Sequence, residues 1–560
     1  MLATITDQIG EWNPQLLREI KGRLKPRNIA IVSGMSVVSQ LLLCLYYEVQ
    51  IPIRETDHRY TYCEYKTFLG ENECLQDSLG NLLINRELWW LDIFIAMSLI
   101  ATFLLLVVGT YMVVNDLAKE ERRDTLGFIR LSPQPAQTIL TGKILGVPIL
   151  LYLFTILALP LHVGAGLAAH IPLTLIFGFY GTLIASCFVF YSAALLYGLT
   201  SKALVGFQPW LGSGAVFFFL FVTTGLTMPN NTMTHSPADW LALFHPGSIL
   251  PYLVDSTDLL NREVRYYSLD YWSDLKWFGL PLWQYAWSGV VCTLLNYGVV
   301  NYWIWQGLKR RFHNQDGTVL SKVSSYWFTG TIALTLLGFT TQERGWGNYE
   351  QGMYENFAIL FCFNLILFLG LIAALSPHRQ TLHDWARYRH QTIVGNRKNL
   401  WQDLLTGEKS PATIAIAVNL LIATLIFLPG TLLTNLGEYR TSILLSLVFN
   451  FSVIFIYAIV AQLMLLMPWN KRAVFSAAVV STLIILPLVI FGITELAHYD
   501  APGLWLFSAV PVAALEYASV SNILLGILGQ WLVIAAGCGV ISKQLQQAGE
   551  SETKALLSGR

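Results

Sequence analysis

The sequence predicts an all-α polytopic membrane protein, with about twelve transmembrane helices arranged as two parallel halves of six. The first observation is composition: 54% of the 560 residues are hydrophobic and 12% are charged, whereas a soluble domain has about 25% charged residues. The second is that apolar runs long enough to cross about 30 Å of hydrocarbon as a helix recur along the whole chain. Because these runs are continuous and do not alternate with polar residues, helices are favoured over a β-barrel.

The predicted spans are residues 28–47, 89–114, 144–168, 172–198, 210–228, 283–306, 326–341, 356–375, 411–432, 441–467, 471–493 and 522–543. The segment before the first span is polar and contains Asp7, Glu11 and Glu19, and no small-residue cleavage site follows that span. We therefore expect the first span to be an anchor and not a cleaved signal peptide.

The distribution of basic residues predicts that both termini are cytoplasmic. With the N-terminus inside, 26 of the 35 Lys and Arg residues fall in cytoplasmic segments and 9 outside, as the positive-inside rule requires. The expected location is the plasma (inner) membrane. This topology places Cys63 and Cys74 together in the outer loop of residues 48–88, where a disulfide could persist.

The order of segments predicts two domains, residues 1–312 and 313–560. In each half an outer loop is followed by a span that returns inward, and then by a charged cytoplasmic segment that leads into the next span. Ser132-Pro133 and Ser410-Pro411 occupy matching places. Each pair fits a helix start, with serine as the N-cap and proline as the first helical residue.

The N-terminal stretch NPQLLREIKGRL predicts an amphipathic helix. Asn13 can cap it and Pro14 can begin it, while Leu17, Ile20 and Leu24 fall on one face. Basic residues occupy the remaining surface, so we expect this helix to lie in the membrane interface.

The charged segment after the second span is ERRDTLGFIRLSPQPAQTILTGKILG, residues 121–146. Together with the N-terminal stretch, it resembles the type-2 ABC exporter permeases. In that family an E-R-x-x-x-T-L-x-x-L-x-x-S-P-like segment followed by I-L-x-G-K forms the region that couples to the ATPase. The matching residues here, with one extra residue before Leu131, are Glu121, Arg122, Thr125, Leu126, Ser132, Pro133, Ile139, Leu140, Gly142 and Lys143.

The resemblance implies that residues 116–130 form a cytoplasmic helix on which an ATPase docks. Ala118, Leu126 and Ile129 share a helical face that is expected to pack on this partner, and Arg122 and Arg123 offer it salt bridges. The expected coupling residues are Glu121, Arg122, Arg123, Thr125, Leu126, Ser132, Pro133 and Lys143. In the second half only Ser410-Pro411 and the order of spans recur.

The chain has no G-x-x-x-x-G-K-[ST] phosphate loop, so ATP hydrolysis would come from a separate subunit. The alternatives are a non-transporting accessory or assembly subunit and an ion-coupled carrier. Ion coupling usually needs Asp, Glu or His at the membrane midplane, and the middles of the predicted spans are almost free of them. The apolar spans suit an amphiphilic or lipid-like substrate, and polar residues such as Asn364 and Asn419 could line part of its path.

A membrane-bound enzyme is a further alternative, with candidates in three histidines (His378, His383, His390) and in the acidic stretch 261–277. His383 and His390 share a helical face with Arg387, which repels a cation, so an amphipathic helix with Trp385 and Tyr388 at the lipid interface is favoured. We expect no catalytic residue, cofactor or metal. The expected partners are cytoplasmic ABC ATPase subunits, membrane lipid and, as an option, a second permease chain, but no nucleic acid.

Overall fold

The computed structural model of the chain describes residues 8–52, 62–63, 65–68, 71–201, 206–227, 235–257, 259, 272–343, 348–391 and 400–549. The chain divides into two compact units. The first comprises Met1–Met233, Leu241–Leu275 and Pro281–His313, and the second comprises Thr234–Trp240, Lys276–Leu280 and Asn314–Arg560. The last change of unit, after His313, is one residue beyond the domain boundary expected from the sequence.

The first unit is a helical bundle in which α3 packs against α6, α7 and α8, and α7 packs along α11. Its helices are α1 (Pro14–Arg23), α2 (Pro26–Glu48), α3 (Arg86–Arg122), α4 (Thr125–Arg130), α5 (Ala136–Gly146), α6 (Ile149–Ala168), α7 (Leu173–Thr200), α8 (Gln208–Thr227) and α11 (Ala286–His313). Three short segments, α9 (Asp239–Ala242), a 3₁₀ turn at Pro246–Ile249 and α10 (Leu250–Asp255), connect α8 with α11. One π-helical turn, Leu104–Val108, interrupts α3.

The second unit is also a helical bundle, and its central helix, α17, contacts α13, α16, α18 and α20. Its helices are α12 (Lys322–Thr340), α13 (Tyr349–Leu375), α14 (Arg379–Gln391), α15 (Leu400–Thr406), α16 (Ala412–Leu433), α17 (Arg440–Leu466), α18 (Arg472–Ile493), α19 (Pro502–Trp505) and α20 (Val520–Gly549). Short 3₁₀ turns lie at Gly437–Tyr439 and Pro511–Ala514.

Long helices account for every predicted span. Each of the twelve spans overlaps a helix of at least 19 residues, the shortest being α12. Among the described residues, nine helices are both long and apolar enough to cross a membrane, and α8, α11 and α12 are not among these nine. The all-α polytopic fold is therefore confirmed, whereas the count of twelve crossings stays a prediction.

The loop between α2 and α3 contains a small hairpin. β1 (Tyr65–Phe68) pairs antiparallel with β2 (Glu71–Cys74), and this two-stranded hairpin is an addition to the helical bundle. Cys63 and Cys74 are joined by a disulfide, with their Cα atoms 5.6 Å apart. The Tyr62 hydroxyl beside this bond donates to the Asp92 carboxylate at 2.6 Å, which ties the loop to the first turns of α3.

Proline positions mark three helix starts, but not all in the predicted way. Asn13 caps α1 by accepting from the Leu16 amide at 2.9 Å, and Pro14 is its first residue, as predicted. Ser132 and Ser410 do not act as N-caps. The helices begin later, at Ala136 and Ala412, and prolines occupy the capping positions. The Ser410 hydroxyl instead donates to the carbonyls of Asp403 and Gly407.

Buried amides join neighbouring helices of the second unit. Asn419 on α16 donates to the Ser325 hydroxyl at 2.9 Å and accepts from the Thr329 hydroxyl at 2.8 Å, both on α12. Asn364 on α13 donates to Asn450 on α17 at 2.6 Å. Both amides are buried between helices. Hydrogen bonds between helices stabilise membrane bundles.

We predict that Asn419→Leu lowers the melting temperature of the purified chain in detergent. The change removes interhelical hydrogen bonds, each worth about 0.6 to 2 kcal/mol in a membrane protein, and leaves Thr329 without its acceptor. Leu421→Ala, at an exposed position of the same helix, is the matched control and should have the smaller effect. Unchanged melting of Asn419→Leu would contradict this role.

Candidate functional site

The predicted coupling segment forms an elbow, residues 123–135, between α3 and α5. The helix expected over residues 116–130 is broken, because Asp124 adopts a left-handed conformation with φ 57° that ends α3. Asp tolerates this conformation better than most residues. The short α4 then follows, and the Thr125 hydroxyl donates back to the Glu120 carbonyl at 3.2 Å. The segment is thus a sharp turn with a helical insert, not a straight helix.

The apolar face expected to meet a partner is buried within the first unit. Ala118, Leu126 and Ile129 are each less than a tenth exposed, so they pack inside the chain. The elbow instead presents Phe128 and Leu131, which are 80% and 84% exposed. Neither residue was predicted from the sequence, although Phe128 and Leu131 stand close to Arg130 in FIRL, within a charged segment, which is a usable signal.

The eight predicted coupling residues do not form one cluster. Arg122, at the end of α3, and three residues of the elbow, Arg123, Thr125 and Pro133, are exposed, whereas Glu121 and Ser132 are half-buried and Leu126 is buried. Lys143 lies farther along the chain on α5, and only 1% of its side chain is exposed. The structure therefore separates an exposed group on the elbow from a buried lysine.

Lys143 is the centre of a buried ion-pair network. Its ammonium lies 2.8 Å from the Asp116 carboxylate and 2.6 Å from that of Glu120, both one turn apart on α3. Burying an ammonium is costly unless charged or hydrogen-bonding partners replace its lost hydration. Lys143 therefore fixes α5 against the last turns of α3, on either side of the elbow.

The N-terminal helix α1 completes the network. The Arg23 guanidinium lies 2.6 Å from Asp116 and also pairs with Glu19 at 3.1 Å. Arg18 binds Glu120 and, at 3.3 Å, Glu19. Three cations thus neutralise three carboxylates.

The three carboxylates lie within 4.8 Å of one another, a spacing that would also suit a metal ion. The ammonium of Lys143 and the guanidiniums of Arg18 and Arg23 already supply the positive charge there. We therefore interpret the cluster as a structural network that joins α1, α3 and α5.

Two glycines allow α1 to approach α5 closely. A Cβ at Gly142 would lie 2.7 Å from the Asn13 amide oxygen and 2.9 Å from the Leu16 backbone nitrogen, and one at Gly146 would lie 2.5 Å from Glu19 Cβ. The Asn13 amide also donates to the Thr138 carbonyl at 2.8 Å. The buried face of α1 is therefore Gln15, Leu16 and Glu19. The predicted apolar stripe, Leu17, Ile20 and Leu24, is half-exposed and available to the membrane interface.

The second unit uses a different arrangement at the corresponding place. Lys322, at the start of α12, donates to the Leu404 carbonyl at 2.8 Å, to the Ser410 hydroxyl at 2.6 Å and to the Pro411 carbonyl at 3.0 Å. Burial lowers the pKa of Lys322 to about 8, with the Asp403 carboxylate opposing the shift. The ammonium, which supplies all three donors, is thus still the main form at pH 7.

The charged segment of the second unit, which holds the three candidate histidines, is anchored by the Asp403 carboxylate. Trp385 donates to the Asp403 carboxylate at 2.6 Å and Arg389 pairs with the same group, so Trp385 is fixed to α15. Its expected place at the lipid interface stays a prediction. Burial lowers the pKa of His383, and the positive charges of Arg379 and Arg387 lower it further. The side chain of His390 and residues 261–271 lie outside the described residues.

No protein-family model, curated protein or solved structure matches this chain.

We predict that Lys143→Met loosens α1 from the first unit. Removing one partner of a buried ion pair costs about 3 to 5 kcal/mol, because Asp116 and Glu120 then lose the cation that they share. Trypsin should cut faster after Lys21 and Arg23 of α1, and the melting temperature should fall. Lys119→Met, at an exposed position of α3, is the matched control.

The double variant Lys143→Met/Glu120→Gln tests the same network from the other side. It removes one positive and one negative charge, so part of the lost stability should return. Identical cleavage rates for the unmodified chain and Lys143→Met would show that the network does not hold α1.

Proposed function

We propose that this chain is the membrane-spanning subunit of an ABC-type exporter, whose ATP is hydrolysed by separate cytoplasmic subunits. The observation that carries the proposal is the elbow, where Phe128 and Leu131 are exposed, as are Arg122 and Arg123 a few residues earlier in the chain. Exposed aromatic side chains together with arginines are typical of protein interfaces. In the predicted topology this surface faces the cytoplasm, where an ATPase would be.

The rigidity behind the elbow also supports a coupling role. The elbow follows α3 directly, and α3 continues for 37 residues from Arg122 to Arg86. The Lys143 network holds α3, α5 and α1 together at the elbow's base. Movement of a docked ATPase would therefore shift three helices as one body and would not bend a loose loop.

The composition of the spans supports an amphiphilic or lipid-like substrate in this proposal. The second half presents no comparable elbow among its described residues, because its connector is built from α14 and α15. We therefore place the main ATPase contact on the first half. A second copy of the chain, or the second half itself, would complete the transport path in the plasma membrane.

We predict that Arg122→Glu/Arg123→Glu, combined with Phe128→Ser, abolishes association with the ATPase. Affinity purification of the tagged chain from its native membrane, followed by mass spectrometry for P-loop ATPases, measures this. Insertion and melting temperature should not change, since all three side chains are exposed. Lys471→Glu/Arg472→Glu in the second half is the charge-matched control and should retain the ATPase.

Undiminished ATPase recovery with the elbow variant would refute docking at this surface. Recovery of no P-loop ATPase with the unmodified chain would refute the exporter assignment and favour the accessory role instead.

A further inference from the structure

Arg130, the last residue of α4, carries a guanidinium that is buried without a hydrogen-bond partner. Its three nitrogen atoms, Nε, Nη1 and Nη2, are shielded from solvent, and none of them is hydrogen-bonded to a described residue. The guanidinium lies over the Phe312 ring, with Cζ 5.6 Å from the ring centroid. A ring face attracts a cation, but it does not satisfy the five N–H donors of a guanidinium. The described part of the chain therefore leaves this cation without the acceptors that a buried charge requires.

A second arginine is close enough to act on Arg130. Burial lowers the pKa of Arg130, the Glu121 carboxylate opposes this shift, and the positive charge of Arg311 adds to it. Arg311 stands beside Phe312 in the last turn of α11. Two guanidiniums and one carboxylate together leave a net positive charge, which attracts an anion. The same end of α11 carries the further basic residues Lys309, Arg310 and His313.

The part of α11 before this cluster has the residues of a membrane boundary. Tyr302, Trp303 and Trp305 precede Arg311 by about 9 to 14 Å at 1.5 Å per residue. Tyr and Trp concentrate at the membrane interface, and Lys and Arg concentrate just beyond it on the cytoplasmic side. In the predicted topology, Arg130 and Arg311 therefore lie at the level of the cytoplasmic lipid headgroups. Basic pockets beside membrane helices at this level bind lipid phosphates.

We infer that Arg130 and Arg311 bind the phosphate of an anionic phospholipid. A planar guanidinium can hold a phosphate through two parallel N–H···O bonds, and such bonds would supply the acceptors that Arg130 lacks in the described chain. A headgroup with a net negative charge is preferred over phosphatidylcholine, because a choline cation would be repelled by Arg311. The inference does not depend on an ATPase.

Binding requires the Arg130 side chain to turn out from the Phe312 ring, because its nitrogen atoms are covered in the structure. Arg130 ends α4, and the residue after it, Leu131, is 84% exposed. A change of side-chain rotamer at this position can therefore bring the guanidinium to the surface without unfolding a helix.

Native mass spectrometry of the full chain in detergent tests the inference. The chain is titrated with dioleoyl phosphatidylglycerol and, separately, with dioleoyl phosphatidylcholine, which has the same acyl chains and a phosphate but no net charge. The unmodified chain should bind the anionic lipid roughly tenfold more tightly, the effect of one hydrogen bond to a charged group. Equal affinities would overturn the inference. Displacement of the anionic lipid by inorganic phosphate, but not by chloride of the same ionic strength, would show that the site takes free phosphate and would overturn the lipid assignment.

Two variants with the same change of charge locate the binding. Arg130→Gln keeps a polar side chain but removes the cation, so its affinity for phosphatidylglycerol should fall to that for phosphatidylcholine. Arg123→Gln, at an exposed position of the same elbow, is the matched control and should keep the tenfold preference. A preference for the anionic lipid that survives Arg130→Gln would refute the site.

Melting temperatures separate a lipid site from a purely structural role. Without anionic lipid, Arg130→Met should melt at the same temperature as the unmodified chain or higher, because a buried cation without acceptors destabilises a fold. Phosphatidylglycerol should raise the melting temperature of the unmodified chain, since a ligand stabilises the state that binds it, and should not raise that of Arg130→Met. A fall for Arg130→Met as large as that for Lys143→Met would show that Arg130 has its partner within the chain and would overturn the inference.

Discussion

The first unit depends on one buried charge, the ammonium of Lys143. An isolated ion at that depth would be expelled or neutralised, and it is stable here because Asp116 and Glu120 approach within hydrogen-bond distance. Those carboxylates are in turn satisfied by Arg18 and Arg23. Loss of any one of these side chains would remove an ion-pair partner from another charge of the network. The position of α1, the angle between α3 and α5, and thus the shape of the elbow all follow from this balance.

The same helix connects the elbow with an apolar groove that residues of α2, α3, α6 and α7 line. α3 ends at Arg122, beside the elbow, and its π turn at Leu104–Val108 contributes Leu104 and Leu105 to the groove wall. The Leu105 carbonyl accepts from the Gly109 amide and also from the Tyr191 hydroxyl at 2.6 Å. Because Gly109 has no Cβ, the Tyr191 ring can lie against it. About 25 Å of helix separates the two features at 1.5 Å per residue, so a rotation at one end is felt at the other.

Hydropathy was sufficient to predict where helices run, because a membrane helix is specified by an apolar run of fixed length. Residue type was sufficient to predict that Asn13 caps α1 and that Pro14 begins it. Local signals failed where partners are distant in sequence. Nothing near Leu126 or Ile129 shows that other helices cover them, and Ser132 has the right type for a cap but lies four residues before the helix. The Lys143 network joins residues more than 90 positions apart, which no single-sequence pattern encodes.

The two units restrain the connectors that join α3 to α5 and α13 to α16 with different chemistry, and this difference argues for unequal roles. In the first unit the bonds run between ionised side chains, which can exchange partners as helices shift because each cation has more than one carboxylate within reach. In the second unit Lys322 and Tyr326 donate to backbone carbonyls, whose positions are fixed by the chain itself. Charge networks permit discrete alternative pairings, whereas bonds to backbone favour one arrangement. In the first unit the shared ion pairs thus join α1, α3 and α5 at the base of the elbow, whereas in the second unit bonds to the backbone hold the connector in one arrangement.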